Sequence, residues 1–289
     1  MFDGVHTGHR YLLEQLRREG ERRGLEPMAV TFANHPLEVV CPERAPLLLT
    51  SPEEKTALIR AEGIERVVCL PFDEELRGTS AGDFLRLLRE RYGVAAMLMG
   101  FNNRFGHDAP RDFGAYSALG AAQGVEIVPA PEYRTEGTEG TAVAPSSTAI
   151  RTALAEGRPE DAAAMLGRPY ALTGRVVHGR QLGRRLGFPT ANVEVAPWRR
   201  LPQTGVYAAR CGGYPAMVNI GRRPTVDAPE APLSVEAHII GLPEGTDLYG
   251  REVTLEFTRR LRGECRFASV EELAAQLRAD RENALKGQG

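Results

Sequence analysis

Met1-Phe2-Asp3-Gly4-Val5-His6-Thr7-Gly8-His9 sets two histidines three residues apart around a glycine, directly ahead of an apolar-periodic run. From Arg10 onward, Tyr11, Leu12, Leu13 and Leu16 recur at helical spacing among charged residues, which predicts a helix with His9 in its first turn and His6 just ahead of it. Both imidazoles then share one face. The start of a helix offers unpaired N–H groups and partial positive charge, and Gly8 has no Cβ to obstruct an approaching phosphate, so the arrangement suits a triphosphate. The same residues also fit an ordinary glycine turn, and the segments around them have to decide between the two.

The first half alternates. A β-prone run at residues 27–32 ends in Ala33-Asn34-His35-Pro36, where the proline disfavours helical geometry at His35. Ser51-Pro52-Glu53-Glu54 opens the next helix with a serine cap, proline at the first position and glutamate three after the cap, and Gly63 closes it. A strand at 66–70, a helix at about 80–92, a strand at 94–99 and a strand at 125–128 follow. Such alternation implies an α/β domain with a parallel sheet and helices on both faces, its ligands held beyond the carboxyl ends of the strands. Gly100-Phe101-Asn102-Asn103-Arg104-Phe105-Gly106 falls at one such end, with aromatics to stack a flat ring and amides for its polar edge. Residues 135–140, Thr-Glu-Gly-Thr-Glu-Gly, have the composition of a loop and suit a lid. Ser146-Ser147-Thr148-Ala149-Ile150-Arg151 then places hydroxyls and an arginine at a helix start, either as a second phosphate cradle or as simple capping.

After short helices at about 148–156 and 159–166, Gly167-Arg168-Pro169 marks a boundary, giving domains at 1–167 and 168–289. Beyond it lie six β-prone runs at 171–177, 191–195, 205–210, 216–220, 234–240 and 252–257, a pattern that predicts an antiparallel barrel. A final helix is capped at Ser269. Gly179, Gly183 and Gly187 stand four apart with Arg184 between them, forming either a phosphate flap or a solvated arginine loop, and no Walker lysine follows. Thr190 and Asn192 are two apart in a predicted strand and so share a face, suited to holding Mg²⁺ and phosphate or to strand-end hydrogen bonding.

Bulk properties narrow the choice of ligand. The chain has 289 residues and a net charge of −2 with both signs interspersed, so no basic field marks a nucleic-acid partner, and the expected ligands are small molecules. No run approaches a membrane span and the first residues lack a signal-peptide pattern, so the expected location is the cytoplasm, with no membrane partner. Cys41, Cys69, Cys211 and Cys265 form no Cys-x-x-Cys pair, which indicates neither a structural zinc site nor a disulfide framework, and Cys69 reads as a small buried hydrophobe. Oligomeric state is not readable from the sequence.

Phe2-Asp3-Gly4-Val5-His6-x-Gly8-His9 resembles the signature of bacterial bifunctional riboflavin kinase/FMN adenylyltransferases, the FAD synthetases. Gly100-x-Asn102-x-x-Phe105-Gly106 and Ser146-Ser147-Thr148-x-Ile150-Arg151 are similar to further adenylyltransferase segments, with Asn103 standing where an aromatic is common. In the second half, Gly179-x-x-x-Gly183-Arg184-x-Leu186-Gly187-Phe188-Pro189-Thr190-Ala191-Asn192, the Asn219 to Thr225 run and Val235-Glu236-Ala237-His238 resemble the riboflavin kinase module. The resemblance implies a Rossmann-like nucleotidyltransferase domain followed by a six-stranded barrel. It implies that Thr190 and Asn192 bind Mg-ATP, that Glu236 acts as base on riboflavin, and that His6 and His9 stabilise charge on the ATP phosphates as FMN becomes FAD. Two other outcomes fit the same motifs: a monofunctional riboflavin kinase with an inert first domain, and a flavin- or nucleotide-binding regulator without turnover. The resemblance also implies a strand ahead of the histidine loop, for which Met1 and Phe2 are too few. The expectation is that Met1 is internal to a longer natural protein and that the first domain is marginal.

Overall fold

The computed structural model describes residues 1–100, 103–133, 145–179, 187–222, 233–243 and 245–286. They fall into two compact units, Met1–Ala144 and Pro145–Gly289.

In the amino-terminal unit the order is α1 (Thr7–Arg23), β1 (Met28–Phe32), α2 (Leu37–Val40), α3 (Pro52–Ala61), β2 (Arg66–Leu70), α4 (Glu74–Arg77), α5 (Ala81–Tyr92), β3 (Ala96–Met99), α6 (Phe113–Gln123) and β4 (Glu126–Pro129). Local chemistry sets the helix starts. Ser51 forms a complete capping box with Glu54 at the head of α3, and Ser80 accepts from the Asp83 N–H at the head of α5. The expected parallel pairing is realised as two separate two-stranded sheets. β1 pairs with β2 from Met28↔Arg66 to Phe32↔Leu70, and β3 pairs with β4 from Ala96↔Glu126 to Met99↔Pro129.

Each pair has its own core. Val5, Leu13, Ala29, Ile59 and Ile64 pack the first against α1 and α3. Ala81, Leu85, Met99, Tyr116, Val125 and Ile127 pack the second against α5 and α6. Between the pairs lies a cavity of about 450 Å³ lined by side chains of α1, β1, α5 and β3, including Leu12, Leu16, Ala29, Phe84, Leu88 and Met97. No described strand occupies it.

The second unit contains α7 (Ser147–Ala155), α8 (Pro159–Leu166), β5 (Tyr170–Val177), β6 (Ala191–Glu194), β7 (Gly205–Cys211), β8 (Tyr214–Arg222), β9 (Leu233–Ile239), β10 (Glu252–Arg262) and α9 (Val270–Leu285). The six strands close a barrel in the order β10-β5-β6-β9-β8-β7, all neighbours antiparallel. Closure leaves no free sheet edge. Leu172, Val218, Ile220, Ala237, Leu255 and Phe257 are buried, while Met217, Phe188 and Ile240 form a second layer with Ala284 of α9. The helices at 147–166 belong with the barrel: α8 packs on β5 and β10, and the Gln203 N–H donates to the Leu154 carbonyl. The compact units therefore part at Ala144/Pro145, ahead of the boundary at 167 that the change in sequence texture suggested.

Candidate functional site

The two units each carry a cluster of chemically capable side chains, and the clusters differ in construction. In the first unit the loop before α1 is built around Asp3, which is buried and accepts from the Leu49 N–H at 3.0 Å, the Thr50 N–H at 3.1 Å and the Thr50 hydroxyl at 3.1 Å. The Gly4 N–H donates to the same hydroxyl. This clamp holds Gly4 at φ 81° and Val5 at φ 39°, a left-handed turn that a β-branched residue tolerates only under such restraint.

The turn delivers His6 as the cap of α1. Its Nδ1 accepts from the His9 N–H at 3.3 Å, so a neutral His6 carries its proton on Nε2. Gly8 lies in that first turn, and His9 stacks on His6 with ring centroids 3.6 Å apart. His9 Nδ1 is buried with no hydrogen-bond partner among the described residues. Burial first, then His6, the Met1 amine and Lys55, hold the His9 pKa well below its ordinary value. A helix start with a buried, unpartnered ring nitrogen is competent to bind an anionic group.

Asn34 is occupied otherwise. Its side chain donates to the Phe72 carbonyl and accepts from the Phe72 N–H, tying together the segments that follow β1 and β2. Asn102 lies outside the described residues, as do Phe101 and the loop at 135–140. Just after Asn102 in the chain, Phe105 has its N–H and carbonyl bridged by the Tyr116 hydroxyl.

In the second unit Ser146 caps α7 by accepting from the Ala149 N–H at 3.1 Å, so the capping role suggested for it is present. Ser147, the exposed Thr148 and Arg151 follow in its first turns. On the barrel, register assembles what sequence spacing could not. Asn192 on β6 lies directly opposite Glu236 on β9, and Glu236 lies directly opposite Asn219 on β8. Opposed residues of antiparallel strands point the same way, so amide, carboxylate and amide form one row, on the face opposite Val218, Ile220, Val235 and Ala237.

Gly179 abuts this row. A Cβ there would fall 2.0 Å from Asn192 Nδ2, so the close approach requires glycine. Thr190 precedes β6 instead of lying within it, so strand geometry does not set the side on which it stands relative to Asn192; it is placed by its segment. That segment is fixed by His238, whose Nδ1 lies 2.9 Å from the Pro189 carbonyl and whose ring packs edge-on to Phe188. Burial lowers the His238 pKa, against the opposing pull of that carbonyl. Gly187 is exposed at φ 80°, while Gly183 and Arg184 lie outside the described residues. Asn219 was missing from the candidates read off the sequence; its run was recognised, but only register reveals its alignment with Glu236.

Both halves find relatives. A family model described as FAD synthetase matches residues 1–143, and one described as Riboflavin kinase matches residues 166–287. The chain is 39% identical over 287 residues to the bifunctional riboflavin kinase/FMN adenylyltransferase of Escherichia coli K12, covering 96% of this chain and 88% of that protein. The chain belongs to the bifunctional riboflavin kinase/FMN adenylyltransferase family. The Bacillus subtilis member is 32% identical, over 99% of this chain and 90% of that protein. A crystal structure titled as a macrolide-efflux protein from Streptococcus pneumoniae superposes with a TM-score of 0.82 at 28% identity, over 99% of this chain and 91% of that one. In this family member no helix among the described residues is long and apolar enough to cross a membrane.

Proposed function

We propose that this chain phosphorylates riboflavin to FMN on the barrel and adenylylates FMN to FAD, with release of pyrophosphate, on the amino-terminal unit. The observation that carries the reading is the presence in one chain of two separate chemically capable constructions: the histidine pair that opens α1 and the Asn192–Glu236–Asn219 row beside Gly179. The two family matches, one to each half, support it.

On the barrel, Glu236 accepts the proton of the terminal ribityl hydroxyl as that oxygen attacks the γ-phosphorus of ATP and ADP leaves. Asn192 and Asn219 flank Glu236 in the register, and in this reading they hold the carboxylate and the phosphate. Thr190 and Asn192 offer a hydroxyl and an amide oxygen, hard donors that fit Mg²⁺, and the close seat of Asn192 on Gly179 keeps one of them fixed. Bound there with ATP, the ion would neutralise charge on the phosphates.

In the amino-terminal unit an FMN phosphate oxygen attacks the α-phosphorus of a second ATP, and the bond to the bridging oxygen breaks. His6 and His9 serve as preorganised donors to the charge that develops, with Gly8 letting the phosphates approach the start of α1. Asn102 is assigned to the same nucleotide, Ser146, Ser147, Thr148 and Arg151 to phosphate binding at the start of α7, and Gly179, Gly183, Arg184 and Gly187 to the ATP of the kinase step. Chromatography of products from riboflavin, ATP and Mg²⁺ tests the whole reading. FAD with transient FMN is the expected result; FMN alone would reduce the chain to a kinase, and neither product would leave a binding protein.

A further inference from the structure

Lys55 lies one turn into α3, behind the Ser51 capping box, and is 1% exposed. Lysine is almost never fully buried without an ionic partner, since removing an ammonium from water costs several kcal/mol. Lys55 has no ion pair among the described residues. Its Nζ donates to the carbonyl of Phe32, the last residue of β1, which uses one of its three N–H groups. A leucine or methionine would fill the same space without that cost. The charge therefore calls for an explanation beyond packing.

Its surroundings supply one. The Phe32 carbonyl stands at the carboxyl end of a parallel strand, where ligands of α/β sheets collect. Burial lowers the Lys55 pKa against the opposing pull of Cys69, Asp3 and Glu53, and Lys55 in turn disfavours protonation of His9 and of the Met1 amine. Two imidazoles stacked at 3.6 Å also resist carrying a charge each. The histidine pair is thus suited to donate from neutral rings, and the lasting positive charge has to come from elsewhere.

We infer that Lys55 is a positioning residue of the amino-terminal site, a buried ammonium fixed at the end of β1 that supplies positive charge for the phosphates of a nucleoside triphosphate. The inference rests on the adenylyl-transfer reading and deepens it. As the α-phosphorus bond to the bridging oxygen breaks, negative charge gathers on the departing pyrophosphate. A cation already in place and shielded from water stabilises that charge without reorganising.

Lys55→Gln keeps a donor for the Phe32 carbonyl and removes the charge, whereas Lys55→Arg keeps the charge. In Lys55→Gln, kcat for FAD formation from FMN and ATP should fall by about 100-fold, with the KM for FMN little changed and riboflavin phosphorylation unaffected. Lys55→Arg should restore part of the loss. By NMR, the His9 pKa should rise in Lys55→Gln as the neighbouring charge is lost, while the split between kcat and the KM for FMN separates a role in transfer from a purely structural one. Wild-type FAD turnover or an unmoved His9 titration in a folded Lys55→Gln protein overturns the inference.

Should Lys55→Gln fail to fold, the wild-type Lys55 Nζ resonance decides: it should report a charged ammonium at neutral pH and shift on addition of ATP with Mg²⁺. A neutral amine, or no shift, overturns the proposal. A wild type that makes no FAD defeats the adenylyl-transfer reading itself, and the ATP-induced shift then still reports on Lys55 separately.

Discussion

The two halves of this chain satisfy their backbones in opposite ways. Each barrel strand is hydrogen-bonded on both sides, whereas β1 to β4 form two pairs, each strand with a single sheet partner among the described residues, and a cavity of about 450 Å³ is lined by both pairs. Stability in the first half therefore rests on two separate small cores and on local clamps such as Asp3. The barrel distributes its stability around a closed ring. The difference teaches that sites of comparable precision stand on supports of unequal cooperativity, and that perturbations should spread further in the barrel than in the first half.

The largest expected effect falls on the barrel row. Gly179→Ala drives a Cβ into Asn192 and should lower riboflavin phosphorylation by about 100-fold, as ångström-scale misplacement of a reacting group does. FAD formation from supplied FMN should persist, and a coupled assay of each step checks both. Next comes the clamp. Asp3→Ala leaves the Leu49 and Thr50 N–H groups unpaired in the interior and should destabilise the first unit by about 2 to 3 kcal/mol. Limited proteolysis should show faster cleavage there with the barrel fragment unchanged; equal sensitivity of both halves would break the comparison.

These two predictions separate what was legible in the sequence from what was not. Helix starts were legible because they are local: Ser51, Ser80 and Ser269 cap as their side chains dictate, and His6 stands immediately ahead of α1. The barrel strands were legible from their composition and turns. Register was not, since pairing between β8 and β9 is a non-local property, so Asn219 went unassigned until it was seen opposite Glu236. Thr190 looked like a strand residue because the β-prone run does not show where ladder bonding begins; β6 starts at Ala191. Cys69 is half-buried, as a strand with one sheet partner permits. Lys55 looked like one more charge on a charged helix, and its burial arises from how α3 lies against the end of β1.

Smaller effects sharpen the comparison. Thr190→Val preserves shape and removes one oxygen, so the KM for Mg-ATP in the kinase step should rise by about tenfold, the equivalent of about 1.4 kcal/mol, with riboflavin binding retained. An unchanged KM would remove Thr190 from the metal and phosphate site.

The smallest expected effect is on the pH dependence of stability. The His9 pKa is depressed in the folded state, so below about pH 6.5 the unfolded chain takes up the proton first. Its contribution is complete above that value and is lost as pH falls towards the folded pKa. His238 acts in the same direction in the barrel, but its shift is smaller. Hydrogen exchange should therefore show the amides of β1 to β4 losing protection more steeply than the barrel between pH 7 and about 5.5, and His9→Gln should flatten the slope. Parallel losses in the two halves would contradict the assignment of the stronger shift to His9.

The central claim is that two chemistries occupy two units, and reciprocal mutation tests it most directly. His9→Ala and Glu236→Ala, each shown to be folded, are supplied with riboflavin, ATP and Mg²⁺ and separately with FMN and ATP, and the flavins are resolved by chromatography. The account predicts that His9→Ala accumulates FMN without FAD, and that Glu236→Ala makes no FMN yet converts supplied FMN to FAD. Loss of both activities in both folded variants, or loss of the same activity in each, would contradict it.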